Sequence, residues 1–246
     1  MTSERKTRTS PGLLSASALK ALAMTCMLLD HMWATVVPGN FWMTCVGRLA
    51  FPLYAFQLAE GFFHTADRRR YALRLLGLAL VSEIPFNLVQ FSTPFFPFHQ
   101  NTVFTLLLGL WAISGLDRAR QERTPRRIVL GLLTLAAACL LGGIGFVDYG
   151  VMGVLTVVLF YLLRDFPLAR LAQLAAMVLL NIVFFKGQTI PLLGFDFPIQ
   201  GFAVLALVPI WLYSGKKGFG GKGFQRAAYL FYPVHLLVLY LLYALR

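Results

Sequence analysis

The chain has 246 residues, of which 58% are hydrophobic and only 13% charged, with a formal net charge of +12. A soluble domain carries about 25% charged residues, so a soluble enzyme, a disordered tail and a secreted disulfide scaffold are all excluded. The chain reads as an integral membrane protein. Its positive charge does not describe a nucleic-acid surface, because the basic clusters alternate with long apolar runs in the manner of loops between membrane helices. No nucleic-acid partner is expected.

Residues 1–16, with their Ser and Pro content, are expected to form a disordered cytoplasmic N-terminus, and 17–246 a single transmembrane domain. A helix needs about 20 residues to cross the hydrocarbon. Nine apolar segments approach that length: Ser17–Val37, Thr44–His64, Tyr71–Phe91, Thr102–Leu116, Arg127–Gly145, Tyr149–Leu163, Pro167–Phe185, Ile199–Tyr213 and Arg226–Leu245. Thr102–Leu116 and Tyr149–Leu163 are short, so merged or re-entrant segments are an alternative there. The first segment follows a basic start, as a signal peptide does. Asp30 and His31 interrupt it and no small-residue cleavage site follows, so it is read as a retained helix. The Gly- and Lys-rich stretch Gly215–Gly223 reads as a flexible loop. Cys26, Cys45 and Cys139 form no paired motif and read as small core hydrophobes.

Loop charge sets the orientation. One set of loops carries Arg5, Lys6 and Arg8; Arg68, Arg69 and Arg70; Arg118, Arg120, Arg123, Arg126 and Arg127; Arg164; and Lys216, Lys217, Lys222 and Arg226. The other carries only Arg48, Lys186 and Arg246. Alternation of the two sets over nine spans places the N-terminus in the cytoplasm and the C-terminus outside. The fold class is therefore all-α, a polytopic helical bundle in the inner (plasma) membrane.

Ionisable groups inside such a bundle cost several kcal/mol each, roughly 2.5–3.5 at a helix centre, and mark functional sites. Asp30 and His31 lie in the outer part of the first segment. Glu60 and His64, four apart, share a face near the inner end of the second, and Glu83 and Asn87 share one in the outer half of the third. Each has a structural alternative. Glu60–His64 suits a surface pair, Arg48 a snorkelling anchor, and His235 a hydrogen bond to a carbonyl freed by Pro233. Asp30 and His31 together suit a general base polarised by a carboxylate. Adjacent residues point about 100° apart, so Asp30 paired with Arg48, leaving His31 to Glu83, is the competing arrangement.

Lys20 lies eleven residues before His31, three helical turns and about 16 Å along one face. A cytosolic donor with a phosphate head and a long arm, such as an acyl-CoA, would anchor its phosphates near Lys20 and Arg74 and bring its thioester to the level of His31.

Several motifs carry a family resemblance: Leu19-Lys20-Ala21-Leu22-Ala23 with Asp30-His31; Gly47-Arg48-Leu49-Ala50-Phe51-Pro52-Leu53-Tyr54; Glu60-Gly61-Phe62 with His64; Ser82-Glu83-Ile84-Pro85-Phe86-Asn87; Asn101-Thr102-Val103-Phe104-Thr105; and Tyr232-Pro233-Val234-His235. Together they resemble the TraX family of polytopic membrane proteins over nearly the whole chain. The resemblance implies a link to conjugation and acetylation of a pilin N-terminus. It also implies similarity to membrane acyltransferases, in which a basic residue and a histidine eleven positions later share one helix. Lys20 stands here where Arg is commoner.

The expected activity is transfer of an acetyl group from cytosolic acetyl-CoA to an amine or hydroxyl acceptor, which the resemblance makes a pilin-like protein. His31 would be the base, with Asp30 or Glu83 orienting it. Arg48, Asn87 and Asn101 would bind the acceptor or polarise the carbonyl, with Thr105, His235, Glu60 and His64 as further substrate-side residues. Glu60 and His64 would lie beside the CoA entrance or play a structural part. Lys20 and Arg74 would hold the CoA. No metal-ligand spacing appears. The rival readings are a proton-coupled transporter, using Asp30, Glu60 and Glu83, and a non-enzymatic pilus-assembly or conjugation factor.

Overall fold

A computed structural model describes residues 12–166, 168–185, 187–192 and 194–245. Arg5, Lys6, Arg8, Pro167, Lys186 and Arg246 lie outside the described residues, as does most of the stretch read as disordered.

The fold is mostly helical, and every apolar segment has a helical counterpart. These are α1 (Ala16–Ala34), α2 (Trp42–Gly47), α3 (Ala50–His64), α4 (Arg68–Phe91), α5 (Thr102–Glu122), α6 (Pro125–Ile144), α7 (Gly150–Leu162), α8 (Ala169–Val178), α9 (Leu207–Trp211) and α10 (Gly221–Ala244). Four of them, α4, α5, α6 and α10, are long and apolar enough to cross a membrane. The short segment expected from Thr102 is thus a full-length helix, because its polar end Asp117–Glu122 continues the coil rather than ending it.

The chain departs from uniform helix at several places. The second apolar segment is not one helix. It breaks at Arg48 and Leu49, between α2 and α3. The break lets Gly47 sit directly against the Asp30 side chain, where any Cβ would collide with it. α8 continues as a π-helical turn, Leu179–Phe184, and a 3₁₀ segment, Ile199–Ala206, leads into α9. The buried amide of Gln200 donates to Asn181 Oδ1 (3.2 Å), tying these two irregular pieces together. Between them lies an antiparallel hairpin, Thr189–Leu192 with Phe195–Pro198. Apolar periodicity gave no sign of it.

α1 and α10 start at the same end. Leu14, Ala16 and Ser17 donate backbone N–H groups to Leu212, Lys216 and Lys217 (2.9, 2.8 and 3.0 Å). The stretch from Gly215 read as flexible is therefore pinned to the start of α1 up to Lys217, and from Gly221 onward it is helix. His31 is the sixteenth residue of its helix and His235 the fifteenth of its own, so two helices launched together deliver both imidazoles to nearly one level. The core between them and α3, α4, α5 and α7 is built from Leu19, Ala23, Phe51, Leu58, Ala79, Leu106, Val157 and Leu236.

Candidate active site

Two cavities lie end to end beside α1. The first, about 150 Å³, is lined by Lys20, Gln57, Tyr71, Leu75 and Tyr229 among others. The second, about 320 Å³, is lined by Asp30, His31, Arg48, Gln90, Asp148 and Gln188 among others. Met27, Tyr54, Thr102 and Tyr232 border both. Lys20 and His31 thus border two adjoining spaces that have these four residues between them.

The charged groups of the larger cavity match one half of the competing arrangement, the pairing of Asp30 with Arg48. Arg48 Nη2 donates to both oxygens of Asp30 (2.5 and 2.6 Å), and Thr44 Oγ1 donates to Asp30 Oδ1 (2.7 Å). The carboxylate is fully engaged there and does not orient His31. Arg48 is held by an acid inside the bundle, so it is not a simple interfacial anchor.

Glu83 does not reach His31 either. Its Oε2 accepts from the Asn101 side-chain amide (2.6 Å) and backbone N–H (3.2 Å), while Asn101 Oδ1 caps α5 at Val103 N (3.0 Å). Glu83 and Asn101 therefore lock α4 to the start of α5, and neither borders the cavity. Asn87 is buried with both ends of its amide unpaired, and Ser82 Oγ is unpaired as well. Thr105 donates to the Asp148 carbonyl and is buried.

The partner of His31 is His235. His31 Nδ1 lies 2.7 Å from His235 Nε2, and His235 Nδ1 lies 2.7 Å from the Phe231 carbonyl oxygen. The two rings lie within 20° of one plane with centroids 5.0 Å apart, so they meet edge to edge through this contact. Phe231 is not the carbonyl that Pro233 frees; that one belongs to Tyr229, four residues before the proline.

Sequence reasoning missed Asp148. The segment Phe146–Tyr149 carries two non-glycine residues in the left-handed region, Phe146 (φ 53°) and Tyr149 (φ 63°), each costing about 1–3 kcal/mol. Backbone bonds hold it: Gln100 N to Phe146 O (2.8 Å) and Asp148 N to Gln100 O (2.9 Å). Tyr149 stacks on Phe51 at 4.0 Å. The result presents Asp148 to the cavity, where Oδ2 accepts from Thr102 Oγ1 (2.5 Å). An acid in a short loop between glycines, in a set of loops poor in charge, was the available signal. Tyr232 also borders both cavities, its hydroxyl beside Thr102 without a well-formed hydrogen bond.

Glu60 and His64 are elsewhere. Arg164 Nε binds Glu60 Oε1 (2.7 Å), and His64 Nε2 is 3.7 Å from Glu60 Oε2. Glu60 borders a separate small pocket with Arg164, Arg170 and Trp211, not the one holding Lys20. Nearby, buried Asp117 pairs with Arg68 (2.7 Å) and accepts from Tyr161 Oη (3.0 Å). Arg74 is exposed on α4, its guanidinium 5.8 Å from the Tyr71 ring centroid, and Tyr71 lines the Lys20 cavity. Among the described residues no group of three or more His, Cys, Asp or Glu is placed to hold a metal ion.

The chain is 32% identical over 240 residues to a probable fimbrial assembly protein FimC, serogroup H1, of Dichelobacter nodosus, covering 92% of this chain and 94% of the relative. It is 27% identical over 239 residues to Protein TraX of Escherichia coli, covering 94% of this chain and 87% of the relative. No solved structure matches. The family model for the TraX protein matches residues 15–243. With its motifs distributed over that whole span, the chain belongs to the TraX family.

Proposed function

We propose that the protein is a membrane acetyltransferase of the pilus-assembly or conjugation type, moving an acetyl group from cytosolic acetyl-CoA to an amine or hydroxyl acceptor on the far side of the inner membrane. The observation that carries this reading is the pair of adjoining cavities, one bordered by Lys20 and the other by His31. A donor with a charged head and a thin arm fits that shape better than a compact solute does. The basic loops keep the N-terminus and the Lys20 end in the cytoplasm over nine membrane passages, with the C-terminus outside.

In this reading Lys20 receives the CoA phosphates, with Arg74 at the rim beyond Tyr71. The pantetheine arm passes between Met27, Tyr54, Thr102 and Tyr232. The acceptor nitrogen or oxygen attacks the thioester carbonyl as His31 takes its proton. The carbon–sulfur bond then breaks, and the proton passes from His31 to the departing thiolate. Tyr232, whose hydroxyl has no hydrogen-bond partner and which borders both cavities, is the donor for the developing oxyanion. Arg48, tied to Asp30, sets the charge of the acceptor end. Asn87 and Asn101 support α4 and α5 behind it.

The D. nodosus relative is named as a fimbrial assembly protein, which favours a non-enzymatic assembly factor as the second reading. Acetyl-CoA binding separates the two. Purified protein in detergent is expected to be stabilised by acetyl-CoA in a thermal-shift assay, and a modified acceptor to gain one acetyl mass. Absence of any shift at millimolar acetyl-CoA would sink the enzymatic reading.

A further inference from the structure

The two-imidazole contact determines which nitrogen of His31 is available to accept a proton. A carbonyl oxygen only accepts hydrogen bonds, so the 2.7 Å contact from His235 Nδ1 to Phe231 O requires a proton on His235 Nδ1. In the neutral ring the other nitrogen, Nε2, is then an acceptor. His31 Nδ1, 2.7 Å from it, must carry the donated proton. That leaves His31 Nε2 with a bare lone pair.

From this geometry we infer that His235 is a positioning residue, fixing His31 in its Nδ1–H tautomer so that Nε2 is the base. The inference rests on the acetyl-transfer reading for its kinetic consequence, but not for the tautomer itself.

This device replaces the carboxylate that a histidine base commonly uses. The adjacent acid, Asp30, is committed to Arg48 and Thr44, and Glu83 to Asn101. Asp148 is the remaining acid at the cavity, and its carboxylate is bound by Thr102. A neutral imidazole holds the tautomer without adding negative charge beside the base. The chain Phe231 carbonyl, His235, His31 runs in one direction only, because its first member cannot donate. The stacking of Phe231 on the His235 ring, with centroids 4.7 Å apart, restrains the second member as well.

The test is ¹⁵N-histidine NMR of the full chain in detergent micelles or nanodiscs. The chain has four histidines, and His31→Ala assigns the relevant signals. In the wild type, His31 is expected as the Nδ1–H tautomer with unprotonated Nε2. His235→Leu should shift His31 toward the Nε2–H form and lower turnover about tenfold or more, with the KM for acetyl-CoA unchanged. His235→Gln keeps an acceptor at the same reach and should retain the wild-type tautomer and most of the turnover. A wild-type His31 that is Nε2–H overturns the inference, as does a His31 tautomer that His235→Leu leaves unchanged. The wild-type spectrum decides even if the Leu variant does not fold. Acetyl-CoA thermal shifts on the same samples report on the transferase reading separately. Binding with the wrong tautomer rejects only the role of His235, whereas the expected tautomer without binding rejects only the chemistry.

Discussion

The two ends of the bundle use the same residue types to different effect. At the end where α1 and α10 begin, Arg164 meets Glu60, Arg68 meets Asp117, and Tyr161 and Gln121 also donate to Asp117. These groups satisfy one another across α3, α4, α5 and the end of α7. At the other end, Arg48 and Asp30 also satisfy one another, yet they do so on the wall of a 320 Å³ cavity. Beside them His31 faces the same space with one nitrogen already committed to His235. A buried ion pair is weak evidence of stability, because desolvation offsets most of its attraction. What separates the ends is that a histidine joins the ion pair in lining the larger cavity, whereas none lines the small pocket beside Glu60 and Arg164.

Breaking each end in turn should give opposite readouts. The largest effect is expected from His31→Ala, a fall in turnover on the order of 10²–10⁴-fold, with acetyl-CoA binding and the unfolding temperature retained. Steady-state acetyl transfer and a thermal-shift titration measure the two halves. A comparable kinetic loss in Glu60→Gln would erase the contrast between the ends.

Next comes Asp30→Asn, which leaves the Arg48 guanidinium without its counter-charge. Removing one partner of a buried pair costs about 3–5 kcal/mol. The two side chains are 23% and 19% exposed, so the lower end of that range applies, read as a lowered denaturation midpoint. The double variant Asp30→Asn with Arg48→Met should recover part of the loss, and a strictly additive double variant would show that the pair is not coupled. Arg164→Met at the opposite end is expected to cost about 1–3 kcal/mol, the desolvation cost of a buried group left short of a partner. Its kcat should be unchanged.

The helical segments were legible because apolar runs of that length have few alternatives inside a bilayer. The break between α2 and α3 was not read from the apolar run Thr44–His64, although Pro52, four residues after Arg48, was the signal for it. Pro52 has no N–H to give the Arg48 carbonyl and its ring crowds that carbonyl, and at the resulting break Gly47 packs directly on Asp30. The hairpin at residues 189–198 was hidden in a loop without periodic pattern.

In the candidate site, Lys20 and His31 could be related because they share a helix, where spacing is geometry. His235 is 204 residues from His31, and its role depends on α1 and α10 starting from one hydrogen-bonded junction. No local pattern carries that information. Arg68 and Arg164 illustrate the converse error. Counted only as loop charge, they also close ion pairs with acids that the sequence left among polar loop residues or near the surface.

The smallest expected effect tests how firmly the cavity end is held together outside the helices. His99 lies in the loop after α4, stacked on Phe86 (5.7 Å between centroids) and 3.8 Å from Asp148 Oδ1. Interaction with the Asp148 carboxylate raises its pKa above the ordinary 6.5, against a lowering by partial burial. A raised folded-state value means that the native state holds the proton more tightly than the unfolded chain. The stabilisation is therefore fully present below about pH 6.5 and is lost as pH rises through the folded-state pKa. His99 is more than a third exposed, so solvent screens the pair and the gain is small. His99→Gln should accordingly lower the thermal midpoint slightly at pH 5.5 and leave it unchanged at pH 8.5. A variant that lost equally at both values would attribute the effect to ring packing on Phe86 instead. If the pH dependence does vanish in His99→Gln, Asp148 is held from outside the cavity by a proton and from inside by Thr102. Mildly acidic conditions on that face would then steady the strained Phe146–Tyr149 segment that presents it.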